Sequence, residues 1–160
     1  MLEVQLGRRL TRRGWTLAVA ETTTGGLISS RIVGVPGSSA YFDRGIVVYS
    51  KASKVEMLGV SEALLETYGA VSEETAVALA RGVRQMSGTT LGLAETGIAG
   101  PVRGRSPKPI GFACIVLATP QDTRCEAFVF EGDRQEIRHQ IAEQALALAV
   151  SCVEDRTFCA

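Results

Sequence analysis

The sequence lacks an excess of charge of either sign: seventeen Lys and Arg balance seventeen Asp and Glu. Without surplus positive charge there is no electrostatic footprint for nucleic acid or an anionic membrane, and neither partner is expected. Histidine is almost missing, with His139 alone, and the cysteines Cys114, Cys125, Cys152 and Cys159 are scattered without a Cys-x-x-Cys pair. That set makes no zinc pattern and reads as free thiols in a reducing cytoplasm. Met1 to Leu10 has no apolar stretch of the kind a secretory signal needs, and no apolar run is long enough to span a bilayer. No Gly-Lys-Ser/Thr closes a glycine-rich loop and no Gly-x-Gly-x-x-Gly follows a strand, so both phosphate-binding fingerprints are absent. Internal repeats, low-complexity segments and linkers are missing too. No metal or organic cofactor is expected.

What remains is an ordinary globular composition, 46% apolar and 21% charged over 160 residues, which fits one domain over residues 1–160. Leu2, Leu6 and Leu10 recur at helical spacing before a stop at Gly14, and the nearby Arg8, Arg9, Arg12 and Arg13 read as a solvated helix face. Trp15 to Ala20 reads as a strand. Thr22 to Gly26 is a turn that opens a helix from Leu27 to Val33. Val35-Pro36-Gly37-Ser38-Ser39 is a loop, and the β-branched content of Gly45 to Ser50 predicts a buried strand. Helices follow at Lys51 to Leu58, after Ser61 as far as Gly69, and after Ser72, with Glu73 and Glu74 in the positive first turn. Val77, Ala80, Val83 and Met86 are expected to form the buried face of that third helix. Thr90 to Thr96 predicts a strand running into the loop Gly97 to Pro109. Ile110 to Ala118 and Arg124 to Phe130 predict a hairpin around Thr119-Pro120-Gln121-Asp122. Asp133 with Glu136 resembles a capping box for a last helix whose stripe is Ile137, Ile141, Ala145, Leu148 and Cys152. Alternating elements followed by a hairpin imply an α/β fold: a single-domain, three-layer α/β/α sandwich with a mixed β-sheet.

In such a sheet, ligands gather beyond the carboxyl ends of the strands. Three polar or glycine-rich segments sit there. Glu21-Thr22-Thr23-Thr24-Gly25-Gly26 offers hydroxyls and N–H groups at a helix start, suited to an oxyanion or equally to a tight capped turn. Tyr49, Lys51 and Lys54 leave a strand end; a lysine desolvated beside hydroxyls becomes a general base, and otherwise these are solvated side chains. Thr96-Gly97-Ile98-Ala99-Gly100-Pro101 is glycine-rich enough to wrap a ligand or to be only a loop, and Arg103 to Lys108 adds basic charge suited to a phosphate.

Together and in order, these segments resemble the CinA C-terminal-domain family. Residues 21–28 are similar to its Glu-Ser-Cys-Thr-Gly-Gly signature, and Val35-Pro36-Gly37-Ser38-Ser39, with Phe42 and Gly45 after it, to its Pro-Gly-Ser-Ser turn. Val48-Tyr49-Ser50 with Lys54 resembles Tyr-Ser-Asn-x-x-Lys, and Gly69-Ala70-Val71-Ser72-Glu73 resembles Gly-Ala-Val-Ser-Glu. Residues 96–101 resemble Thr-Gly-Ile-Ala-Gly-Pro, Lys108-Pro109-Ile110-Gly111 resembles Lys-Pro-Val-Gly, and Gly132-Asp133-Arg134 with Arg138 completes the series. The likeness covers about Leu6 to Val150. It implies hydrolysis of nicotinamide mononucleotide to nicotinic acid mononucleotide and ammonia, in pyridine-nucleotide salvage, by a serine–lysine type of amidase. It also implies a homo-oligomer, a dimer or larger. By position the nucleophile falls on Thr22, the general base on Lys54 and the assisting phenol on Tyr49. Thr24, Gly25 and Gly26 would hold the oxyanion, and Thr96, Gly97, Ala99, Gly100 and Arg138 the substrate. The chain departs from the family's pattern at several places. Thr22 replaces serine and adds a methyl that restricts χ1; Lys51 stands for asparagine, Glu95 for a neutral residue, and Arg103 and Arg105 for part of a glycine-rich stretch. These departures keep a second reading open, a nucleotide-binding or regulatory homologue with impaired catalysis.

Overall fold

The computed structural model of the chain describes residues 1–155 and Phe158. Its elements run α1 (Leu2–Arg13), β1 (Leu17–Glu21), α2 (Leu27–Val33), β2 (Phe42–Val47), α3 (Lys51–Leu58), α4 (Glu62–Tyr68), α5 (Glu73–Ser87), β3 (Leu91–Gly97), β4 (Phe112–Ala118), β5 (Thr123–Val129) and α6 (Arg134–Glu154). The strands form one sheet in the order β2-β1-β3-β4-β5. β1 runs parallel to β2 and β3, while β4 is antiparallel to β3 and β5.

The period-two alternation of the strands decides which helix goes to which face. Leu17 and Val19 of β1 and Leu91 and Leu93 of β3 meet Leu6 and Leu10 of α1, Ile28 and Ile32 of α2, and Ile137, Ile141 and Ala145 of α6. Ala18, Ala20, Ala94 and Val116 point the other way, onto Leu58 of α3, Leu65 of α4, and Ala76, Leu79, Ala80 and Val83 of α5. The fold is therefore a three-layer α/β/α sandwich with a mixed sheet, as the element pattern predicts. Among the described residues no helix is long and apolar enough to cross a membrane.

Caps fall where polar side chains can take up orphan N–H groups. Ser50, Ser61 and Ser72 accept from Ser53, Leu64 and Thr75, and Gly14 closes α1 in the left-handed region. Asp133 accepts from Gln135 and Glu136 while Glu136 returns to the Asp133 N–H, a complete capping box. Asp133→Ala is expected to lower stability by about 1 kcal/mol, read from the denaturant midpoint. An unchanged midpoint would show that the box adds no net stability.

Several boundaries differ from the sequence expectation. β2 begins at Phe42 and ends at Val47, because an edge strand tolerates the exposed Asp43 and Arg44; Val48 makes one more bond to β1, through Glu21 O, before the chain turns away. The hairpin strands start at Phe112 and Thr123, since Ile110 and Gly111 still belong to the preceding loop. On α5 the buried face is Ala76, Leu79, Ala80 and Val83, and Met86 is exposed. Positions 77, 80, 83 and 86 step by three and drift around the helix, whereas 76, 79, 80 and 83 stay on one face. The α6 stripe is buried as expected. Arg8 and Arg12 are solvated, while Arg9 bonds Val150 O and Glu154 and Arg13 lies over Trp15.

Candidate active site

The two parallel neighbours of β1 lie on opposite sides of it, which places a topological switch point at its carboxyl end. The segments that follow β1, β2 and β3 converge there. Between them lies a cavity of about 370 Å³, whose lining includes Thr22, Thr23, Tyr49, Lys54, Thr96, Gly97, Ile98, Ala99, Gly100, Arg103 and Arg134.

The turn after β1 is built around two buried glutamates. Glu21 ends the Leu17–Val19 face of β1 and Glu95 the Leu91–Leu93 face of β3, and both side chains are fully buried. Glu21 reaches into the start of α2 and accepts from the N–H groups of Gly26, Ile28 and Ser29 and from the Ser29 hydroxyl. Glu95 Oε1 accepts from Thr22 N–H at 2.6 Å and Thr24 N–H at 3.0 Å. Thr24 Oγ1 stands between the two, 2.6 Å from Glu21 Oε2 and 2.8 Å from Glu95 Oε1. Burial pushes the Glu95 carboxyl above the ordinary glutamate range; the hydrogen bonds from Thr24 and Thr22 pull it down, and the charge of Glu21 pushes it further up. Gly25 and Gly26 take positive φ values of 59° and 104°, which lets the turn close this tightly. The Thr22 hydroxyl donates to Glu95 O at 3.1 Å and lies 3.5 Å from Glu95 Oε2, and Thr23 Oγ1 donates to Gly97 O.

Lys54, on the first turns of α3, is 3% exposed, and its ammonium donates to Tyr49 O at 2.9 Å and Ser50 O at 3.4 Å. Burial pulls it below the ordinary lysine value, an effect that an ionised Glu95 would partly offset. Tyr49 is 65% exposed, and its hydroxyl accepts from Arg134, which also donates to Gly100 O. The loop after β3 is fixed by Thr96 Oγ1 on Ala70 O and by Lys108 Nζ on Val71 O. Lys108 also lies over the Phe112 ring.

Of the residues singled out from sequence, Thr22, Tyr49, Lys54, Thr96, Gly97, Ala99 and Gly100 line the cavity. Thr24, Gly25, Gly26 and Arg138 do not line it. The N–H groups of Thr24 and Gly26 are bonded to Glu95 and Glu21, so they are not open to an oxyanion. The hydrogen bonds of this turn leave the Thr23 and Gly25 N–H groups without a partner among the described residues, and Thr23 lines the cavity. Arg138 clamps the turn from behind, donating to Thr23 O and Thr24 O. Lys51 pairs with Glu66 on α4, and of Arg103 and Arg105 only Arg103 lines the cavity. Arg134 and Thr23 gain weight that their spacing alone did not give them. Burial raises Cys114 to about 11 and Cys125 to about 12, which removes both as nucleophiles. His139 is exposed on α6, outside the cavity, and Cys159 lies outside the described residues.

Fold and site together define an α/β protein with a strand-end pocket that holds a hydroxyl, a buried lysine and a glycine-rich loop. The chain belongs to the CinA C-terminal domain family, whose model matches residues 1–153. It is 47% identical over 147 residues to a CinA-like protein of Syntrophobacter fumaroxidans, covering 92% of this chain and 35% of that protein. A CinA-like protein of Geotalea daltonii is 50% identical over 127 residues, covering 79% of this chain and 31% of its own length. The chain thus spans about a third of the curated relatives it matches. Among solved structures, the competence/damage inducible protein CihA from Agrobacterium tumefaciens superposes with a TM-score of 0.87 at 34% identity, covering 96% of each chain. A competence or damage-inducible protein from Enterobacter asburiae gives 0.92 at 30% identity, covering 95% of this chain and 96% of its own.

Proposed function

We propose that the chain is an amidohydrolase that converts nicotinamide mononucleotide to nicotinic acid mononucleotide and ammonia. The observation that carries this reading is the convergence of Thr22, Tyr49 and Lys54, from two separate strand ends, on one cavity. The resemblance of those segments to the family supplies the substrate. Thr22 Oγ1 attacks the carboxamide carbon as Lys54 Nζ takes the hydroxyl proton. Nζ returns that proton to the departing nitrogen, which leaves as ammonia, and water then hydrolyses the Thr22 ester to the carboxylate. Lys54 takes the proton only when neutral, and burial moves it in that direction. The Thr23 N–H is the oxyanion donor of this scheme, in the position directly after the nucleophile. Tyr49, held by Arg134, assists at the cavity mouth, and Arg134 with Arg103 supplies charge for the phosphate. Cytoplasmic location and assembly into a homo-oligomer belong to the same proposal.

A nucleotide-binding homologue without turnover is the second reading. It is favoured by the resting hydrogen bonds, in which Lys54 donates to Tyr49 O and Ser50 O while the Thr22 hydroxyl donates to Glu95 O. Ammonia release from nicotinamide mononucleotide, nicotinamide riboside and nicotinamide separates the two. The amidase reading expects turnover of the mononucleotide and a kcat/KM at least about tenfold lower for the two compounds without phosphate. Tight binding of the mononucleotide with no ammonia would select the second reading. Equal turnover of all three would remove the phosphate from the account.

A further inference from the structure

The Glu21–Thr24–Glu95 contact does not close with both glutamates ionised. Thr24 Oγ1 has one proton and two carboxyl oxygens within 2.8 Å of it, Glu21 Oε2 and Glu95 Oε1. It donates to one of them. The other oxygen then meets a lone pair at hydrogen-bond distance, inside a fully buried site, unless it carries a proton of its own. One proton besides that of the Thr24 hydroxyl must therefore sit on one of the two carboxyls. Glu21 is surrounded by donors, three N–H groups and the Ser29 hydroxyl, a setting that suits a carboxylate. Glu95 has fewer: the Thr22 and Thr24 N–H groups on Oε1, and the Thr22 hydroxyl 3.5 Å from Oε2. Across the sheet its pairing partner on β4 is Ile115.

We propose that Glu95 is a neutral carboxylic acid, hydrogen-bonded through the Thr24 hydroxyl to an ionised Glu21, and that in this form it positions Thr22. The proton on Glu95 donates to Thr24 Oγ1, and the Thr24 proton donates to Glu21 Oε2. The chain of bonds locks the turn and holds the Thr22 main chain through its N–H. Glu95 does not line the cavity, so it acts through Thr22 and does not contact the substrate. The charged groups that face it are Glu21 on β1 and Lys54 on α3; Arg138 on α6 is tied to the carbonyls of Thr23 and Thr24. Loss of the proton would set two carboxylates on either side of one hydroxyl. The stabilising contribution is therefore fullest below the ordinary glutamate value and is lost as pH rises through the raised value of Glu95.

The test is infrared spectroscopy of the whole chain at pH 7, where a protonated carboxyl has a carbonyl stretch distinct from that of a carboxylate. The wild type is expected to show one such buried carboxyl, and Glu95→Gln to lose it. No protonated carboxyl in the wild type would overturn the proposal, and a signal that survives in Glu95→Gln would place the proton on Glu21 and overturn it equally. Glutamine is neutral like the acid; with its oxygen at the Oε1 position it keeps the acceptor for the Thr22 and Thr24 N–H groups, but it cannot also donate to the Thr24 hydroxyl from there. Glu95→Gln, which keeps the acceptor that holds the Thr22 N–H, is therefore expected to lose less kcat than Glu95→Ala, which lowers kcat about 10²-fold with KM within about threefold. Complete loss of activity in a folded Glu95→Gln would mean that the charge is needed and would contradict the account. The kcat and KM expectations for the two Glu95 variants rest on the amidase reading. The infrared signal needs no turnover, so it succeeds or fails separately, and the wild-type measurement stands even if a variant does not fold.

Discussion

Lys54→Ala is expected to lower kcat for carboxamide hydrolysis by about 10²–10⁴-fold, the range for removal of a positioned general base. The lysine stem is buried, and among the described residues its ammonium donates to two main-chain carbonyls, Tyr49 O and Ser50 O, which can turn to water when the side chain is gone. Circular dichroism should therefore report a folded variant. The pH dependence gives a second reading of the same residue. A base must be neutral to accept the Thr22 proton, so wild-type kcat/KM should climb as pH rises towards the lysine's own value. Burial sets that value below the ordinary 10.5, so the climb should level off earlier than for a solvated lysine. Lys54→Ala should lack the climb. A variant that retains wild-type kcat and the same pH profile would remove Lys54 from the mechanism.

Gly92→Ala carries the largest expected effect on stability. Gly92 sits in β3 where α5 crosses closest, and a methyl there would run into Ala80 O of the helix and come within 2.7 Å of Arg84 Cβ. The obstacle is helix backbone, which cannot rotate aside as a side-chain end can. Overpacking of this kind costs about 1–3 kcal/mol or more, and each kcal/mol corresponds to about 2–4 °C in Tm for a chain of this size. The effect should also reach the site, because the same strand presents Glu95, Thr96 and Gly97 three to five residues on. Thermal unfolding followed by circular dichroism measures it; an unchanged Tm would mean that α5 and β3 do not approach as closely as described.

The fold was legible because its determinants are local. Leu2, Leu6 and Leu10 on α1, the Asp133–Glu136 box and the α6 stripe all lie within a few turns of chain, and each was readable as a period or a cap. Sequence and structure part where apolar content and secondary structure do not coincide. Directly after Phe42, β2 carries Asp43 and Arg44, which an edge strand leaves in water, and on α5 a spacing of three drifts off the buried face. The candidate site was legible as a set of strand ends and as a resemblance, which brought Thr22, Tyr49 and Lys54 to one cavity. Its internal wiring was not. Glu95 binds Thr22 and Thr24 across 73 and 71 residues of sequence, and no local pattern encodes such a bond. The glycines that seemed to offer an oxyanion site instead give a turn whose N–H groups are partly taken by buried carboxylates. One signal was present: Leu17-x-Val19-x-Glu21 and Leu91-x-Leu93-x-Glu95 both continue an inward-facing apolar alternation into an acid. A charged residue at an inward position announces a buried partner.

The central claim is that the Thr22 hydroxyl performs the attack. The most direct measurement is ammonia release from nicotinamide mononucleotide by the wild type beside Thr22→Ala and Thr22→Ser. The account predicts release by the wild type, loss of it in Thr22→Ala, and equal or faster release in Thr22→Ser, where the methyl that restricts χ1 is gone. Ammonia release that persists in Thr22→Ala would contradict it.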